Sequence, residues 1–236
     1  MSSEIDRRTF LKSATAASGA ALAGCMDSAF DPGIDMGSTG SVAGRPLRPA
    51  VGVDANIGSM AKMYAEQQDG PYTLAAIPYS KMEPRFRRQR VVNETGMEPG
   101  TVLIDPRNHH AYFVLSRDEA VRYGVGVGKA GFEWSGTAKI GNKKVWPTWT
   151  PPAEMIARRP DLVKYASGQP GGPDNPLGAR ALYLFADGRD TLYRLHGSPE
   201  WESIGKSMSS GCIRFLNQDI IDLYNRVPRG TTVRVI

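Results

Sequence analysis

The chain has 236 residues, enough for one ordinary domain with some additional chain or for two small ones. Hydrophobic residues at 41% and aromatics at 8% supply a core, which excludes global disorder, and no uncharged run reaches the roughly 20 apolar residues of a membrane span. Twenty-nine basic against 24 acidic residues leave +5, too mild an excess to name nucleic acid as a partner, while two cysteines exclude a disulfide framework or a thiolate-rich zinc site.

Residues 1–24 read as an export signal. Arg7, Arg8 and Lys12 precede a stretch from Ser13 to Met26 without charges, too short and mildly apolar to be a span. The run Asp6-Arg7-Arg8-Thr9-Phe10-Leu11-Lys12 resembles a twin-arginine signal, with Asp6 where Ser or Thr is usual; a chance arginine pair is the plain alternative. Leu22-Ala23-Gly24-Cys25 resembles a lipobox, which would lipidate Cys25, although ordinary cleavage nearby would explain the same small residues. Either route leaves Cys212 as the cysteine able to do chemistry.

Residues 25–50, rich in Gly, Ser and Pro, read as a flexible linker. Residues 51–100 read as an extension that packs on the following domain, with a helix predicted around Ser59–Gln68 and extended or irregular chain after it. From residue 101 to 236 the pattern is that of strands. Thr101–Asp105 and His110–Leu115 form a predicted hairpin about Asp105-Pro106-Arg107-Asn108, and Val121–Val127 is strand-like. Gly168–Gly178, after Trp146 and Trp149, is a long loop: either a surface loop packed by its own rings or a lid over a groove. Ala181–Phe185 and Thr191–His196 flank a second hairpin turn, Asp187–Asp190. A helix is predicted over Gln218–Arg226, capped by Asn217 and stopped by Pro228, and Thr231–Ile236 is a last strand with Val233 and Val235 on one face. Together these predict a mainly β domain, sandwich or barrel, of mixed sheets with a few short helices.

Two residues concentrate the chemistry. Alternation sets Leu192, Arg194 and His196 on one strand face, and Gly197 is expected to end the strand and leave the imidazole at an edge. Sixteen residues later comes Ser209-Ser210-Gly211-Cys212-Ile213-Arg214. Gly211 permits close backbone approach, and Arg214 and a histidine base would favour the thiolate of Cys212. A structural histidine and a core cysteine explain the same residues. Adjacent His109 and His110 point apart on a strand and make no metal site, and the glycines of Gly124–Gly131 lack the lysine of a phosphate loop. Neither a metal nor a cofactor is called for.

His196-Gly197-Ser198, Ile204-Gly205 and Ser209-Ser210-Gly211-Cys212-Ile213-Arg214 resemble the signature of the L,D-transpeptidase (YkuD-type) catalytic domain, over roughly residues 101–236. Ser198 stands where Thr is usual and Ser210 where many members have His. The resemblance implies a β-sandwich of mixed sheets, with Cys212 as nucleophile and His196 as proton acceptor and donor; by the general chemistry of acyl transfer the N–H groups of Gly211 and Cys212 are the candidate oxyanion donors. Gly197, Ser198, Ser209, Ser210 and Arg214 are the candidate substrate-binding residues; Arg214 would bind the stem carboxylate or orient the backbone around the thiol, and a purely structural arginine explains it equally well. The resemblance also implies a peptidoglycan stem attacked at diaminopimelate, D-alanine released, and the acyl group passed to an amine. That amine would belong to another stem, a wall-anchored lipoprotein or a free D-amino acid. Carbapenems would be inhibitors, and the location the periplasm, with the membrane reached only through a lipid on Cys25. A thiol carboxypeptidase or cross-link hydrolase would use the same site; a non-catalytic wall-binding lipoprotein would not need it.

Overall fold

A computed structural model describes residues 59–128, 134–209 and 211–236. The export signal, Cys25, the 25–50 linker, part of the Gly124–Gly131 run and Ser210 lie outside the described residues.

Chain order begins with a short helix α1 (Met60–Met63), then β1 (Gln67–Asp69), β2 (Tyr72–Leu74) and β3 (Gln89–Val92). The predicted helix over Ser59–Gln68 survives only as that one turn. Ser59 Oγ accepts the Lys62 N–H at 3.3 Å and starts it. It stops because Tyr64 turns into the interior and Gln67–Asp69 pair with Tyr72–Leu74 across Gly70-Pro71. Gly70 has φ +62, the backbone such a two-residue hairpin needs at its first turn position.

The strand-rich region follows as β4 (Val102–Asp105), β5 (His110–Val114), β6 (Glu119–Gly124), β7 (Val127–Gly128) and β8 (Gly136–Val145). Helix α2 (Ala153–Arg158) interrupts before β9 (Arg180–Ala186) and β10 (Arg189–Ser198). Then come β11 (Ser207–Ser209), β12 (Ile213–Leu216), helix α3 (Asn217–Arg226) and β13 (Thr232–Val235). Nine strands form one mixed sheet in the order β12-β10-β9-β8-β13-β4-β5-β6-β3, with β10–β12 and β4–β13 parallel. The extension thus supplies the edge strand β3, paired antiparallel with β6.

The sheet curls until its two ends meet. Gly126 and Arg214 exchange both backbone hydrogen bonds, at 2.9 and 2.8 Å, which pins β12 to the chain just beyond β6. A side chain at Gly126 would run into the Ser203 carbonyl, so only glycine allows this approach. The enclosed core takes Ile104, Val121, Tyr123, Ile140, Leu182, Leu195, Phe215 and Val233 from the strands and Ile220 and Leu223 from α3. Each fully buried aliphatic side chain contributes roughly 1.5–3 kcal/mol of transfer free energy. A second cluster joins Met63, Tyr64, Met82 and Phe86 of the extension to Ile204 and Leu216.

Asn217 is not the cap of α3. It is the first helical residue, and its side-chain Oδ1 instead accepts the Ala179 N–H at 2.9 Å. The reason is tertiary: β9 starts beside the helix and leaves a buried donor there.

Candidate active site

β9 and β10 meet in a tight hairpin whose turn residues Asp187 and Gly188 have φ +49 and +73, as the sequence Asp-Gly favours. The ladder runs regularly to Asp190↔Phe185 and resumes only at Arg194↔Tyr183, so β10 has two more residues than its partner there. This bulge re-aims the chain just before His196, and the predicted alternation fails at Leu192 as a result. Beyond the bulge alternation returns. Leu195 enters the core while Arg194 and His196 share the opposite face.

His196 is not at a sheet edge. β10 continues to Ser198, and His196 pairs with Ala181 on one side and Arg214 on the other, leaving the residue 5% exposed. Its Nδ1 donates to the Gly197 carbonyl at 2.6 Å. A carbonyl only accepts, so the proton sits on Nδ1 and the lone pair on Nε2. Continuing the parallel register two residues back places Cys212 across from Arg194. Strand geometry then puts the His196 and Cys212 Cα atoms about 8 Å apart on one face.

The thiol is cradled by the bulge. The Arg194 backbone N–H hydrogen-bonds the sulfur. The Leu192 carbonyl lies 4.0 Å from Sγ, at the long limit for a sulfur contact. Gly211, buried, precedes it with φ +125, a conformation that side-chain-bearing residues rarely adopt. Arg214 is tied to Glu200 by a 2.7 Å ion pair.

Electrostatically the pair rests neutral, against the expectation of a thiolate. Burial pushes the Cys212 thiol above its ordinary value, outweighing the Arg194 N–H and the charges of Arg194 and Arg214. Burial likewise lowers His196 to about 4, against the Gly197 hydrogen bond and with help from Arg214 and Arg194.

Residues 99–235 match the model of the YkuD family, the L,D-transpeptidase catalytic domain. The chain belongs to that family. A relative from Escherichia coli K12, "Probable L,D-transpeptidase YbiS", is 35% identical over 63% of this chain and 48% of its own. Another from that strain, "Probable L,D-transpeptidase ErfK/SrfK", is 39% identical over 68% and 51%. The chain therefore spans about half the length of these curated relatives. A solved Brucella melitensis structure described as a "Probable carnitine operon oxidoreductase caia" is 45% identical, with 64% of this chain matched to 94% of that one at a TM-score of 0.46. That overlap decides no activity.

Within this L,D-transpeptidase domain the structure gathers His196, Gly211, Cys212 and Arg214. It puts Gly197 and Ser198 inside. Gly197 packs on Asn217 and Ala179, where a side chain would not fit, and Ser198 Oγ accepts the Glu200 N–H at 3.1 Å. Both therefore shape the turn after His196. The Leu192 carbonyl, the Arg194 N–H and Glu200 are site elements that sequence reasoning missed; only the Asp-Gly turn hinted at the hairpin that brings them.

The loop region between Val145 and Arg180 leaves the sheet at the His196 end of β9, since Ala181 pairs with His196. Asn175 holds it from within, donating to the carbonyls of Pro147, Gln169 and Pro170. The β1–β2 hairpin braces it from without. Asp69 makes a bidentate pair with Arg180 at 2.6 and 2.8 Å, and Tyr72 donates to the Gly171 carbonyl at 2.7 Å.

Proposed function

We propose that the chain is a cysteine acyltransferase that forms a thioester with peptidoglycan stem peptides and transfers the acyl group to an amine. The observation that supports this most directly is the tautomer of His196: with Nδ1–H fixed on the Gly197 carbonyl, Nε2 is the basic nitrogen, on the sheet face of Cys212. Because thiol and imidazole both rest neutral, the Sγ proton moves to Nε2 as Sγ attacks the scissile carbonyl of diaminopimelate. The N–H groups of Gly211 and Cys212 serve as donors to the developing oxyanion. Nε2–H then protonates the departing D-alanine nitrogen as the C–N bond breaks. The acceptor amine reverses these steps: its nitrogen attacks the thioester, Nε2 takes its proton, and the thiol is restored.

In this reading residues 101–236 are the catalytic domain and 51–100 an extension that packs on it. Residues 1–24 are a twin-arginine-type signal that sends the chain to the periplasm, with Cys25 as a lipid anchor. Gly168–Gly178 is a lid over the substrate, and Ser209, Ser210 and Arg214 line the stem.

Intact mass after incubation with a tetrapeptide stem or a carbapenem tests the thioester. A single adduct on Cys212 is expected, and Cys212→Ser, which keeps the fold, should lose nearly all turnover because a hydroxyl is far less acidic than a thiol. Substantial turnover by that variant overturns the mechanism. Muropeptide products then separate transfer, which gives dimers, from hydrolysis, which gives trimmed monomers.

A further inference from the structure

Leu192 breaks two local rules at once. A γ-branched residue at φ +63 occupies a backbone region suited to glycine or asparagine, and its side chain is 76% exposed. Nothing in the hairpin requires leucine there, since Gly188 already makes the turn. The strain is nonetheless firmly held. Leu192 N–H donates to Asp190 Oδ1 at 2.8 Å, and Thr191 Oγ1 donates to the Leu184 carbonyl at 2.8 Å. Arg194 clamps both oxygens of Asp190 at 2.7 and 2.8 Å, and Tyr193 stacks on Trp134 with ring centroids 5.2 Å apart. The bulge so fixed sets the Leu192 carbonyl 4.0 Å from the nucleophile's sulfur, and it leaves the isobutyl group of the same residue in solvent. A second exposed apolar side chain, Met208 at 66%, stands four residues before Cys212. Local rules broken together, against the interest of folding, mark functional positions.

We propose that Leu192 is a specificity-determining residue whose side chain packs against the aliphatic methylene run of the acyl-donor residue, next to the carbonyl that Cys212 attacks. This rests on the acyltransferase reading above and adds to it the feature of the donor that is read. A donor residue with an unbranched hydrocarbon arm covers the leucine and removes apolar surface from water in the bound state. A short or charged side chain in that place does not.

The test compares wild type with Leu192→Ala and Leu192→Asn in D-alanine release from a tetrapeptide stem. Alkylation of Cys212 by iodoacetamide is followed in parallel. Asparagine tolerates φ +63, so that variant keeps the bulge while removing the apolar contact. KM is expected to rise about tenfold in both variants, the effect of losing one or two buried methylenes. Turnover at saturation should change less than about twofold, and the alkylation rate should stay at the wild-type value. An unchanged KM in both variants overturns the inference. So does a fall in kcat that tracks a changed alkylation rate, because the bulge would then only support the thiol. If the wild-type protein is alkylated but releases no D-alanine, the acyltransferase reading itself fails, and the role of Leu192 falls with it.

Discussion

At the scale of single residues, the site depends on two groups that burial drives in opposite directions. His196 falls to about 4 and the Cys212 thiol rises, so neither is charged across the neutral range. A resting ion pair would make the thiol reactive toward small alkylators well below its ordinary pKa. A neutral pair does not, and iodoacetamide labelling of Cys212 should climb with pH through 9 and beyond, without a plateau near pH 6. Acylation by a stem behaves differently, because it needs only a neutral His196 and should decline on the acid side near pH 4. A labelling plateau at pH 6 would show instead that the thiolate is present at rest. His196→Ala should slow acylation by about a hundred- to ten-thousand-fold. It should also lower the melting temperature, since the imidazole is buried between β9 and β12 and its removal leaves a void.

At the scale of elements, α3 and the start of β9 are joined by one side chain. The Ala179 N–H is buried and bonded to Asn217 Oδ1, with Gly178 and Gly197 packed so closely around that amide that neither has room for a Cβ. Asn217→Ala should therefore destabilise the protein by about 1–3 kcal/mol, the cost of an orphaned buried donor, which chemical denaturation would measure. An effect below about 0.5 kcal/mol would show that water replaces the amide. This contact also marks where sequence reading stops. The 102–114 and 180–198 hairpins, the α3 periodicity and the alternation of Val233 and Val235 were legible because turn chemistry and side-chain period are local. The His196 and Cys212 pair was legible through its motif. The role of Asn217, the bulge at Leu192 and the burial of His196 were not. The first and the last depend on partners far along the chain, Ala179 for Asn217 and the parallel pairing of β10 with β12 for His196, while the bulge depends on how β10 slips against β9 within their hairpin. The short α1 fails for a related reason, since Tyr64 is worth more inside the second core cluster than on a longer helix.

At the scale of the molecule, the extension is held to the strand-rich region by a buried polar cluster. Tyr64 accepts the Arg88 N–H at 2.6 Å and donates to Asp219 Oδ2 at 3.3 Å. Arg88 lies 3.5 Å from Asp219 and 3.2 Å from Asp222, which also takes hydrogen bonds from Tyr123 and Arg226. Burial pushes Asp222 up, but Arg226 and Arg88 outweigh it and hold the carboxyl below its usual range. Asp219 goes the other way: burial, aided by the charge of Asp222, lifts it to about 7 against the pull of Arg88. The folded chain thus keeps a proton on Asp219 that the unfolded chain has lost above about pH 3.8. Stability from this group is complete below that value and is lost as pH rises towards 7. His110 and His196, both lowered to about 4 by burial, act in the opposite sense, adding stability as pH rises from 4 to about 6.5. The raw melting curve mixes the two, so the informative quantity is the difference between wild type and Asp219→Asn. The amide still accepts from Tyr64 but does not ionise. The variant should gain melting temperature relative to wild type steadily between pH 4 and 7, and hold a constant offset above it. Parallel curves across that window would mean that Asp219 is ionised throughout, with Arg88 as its full counter-ion, and that the extension is docked by a charge pair rather than by a protonated carboxyl.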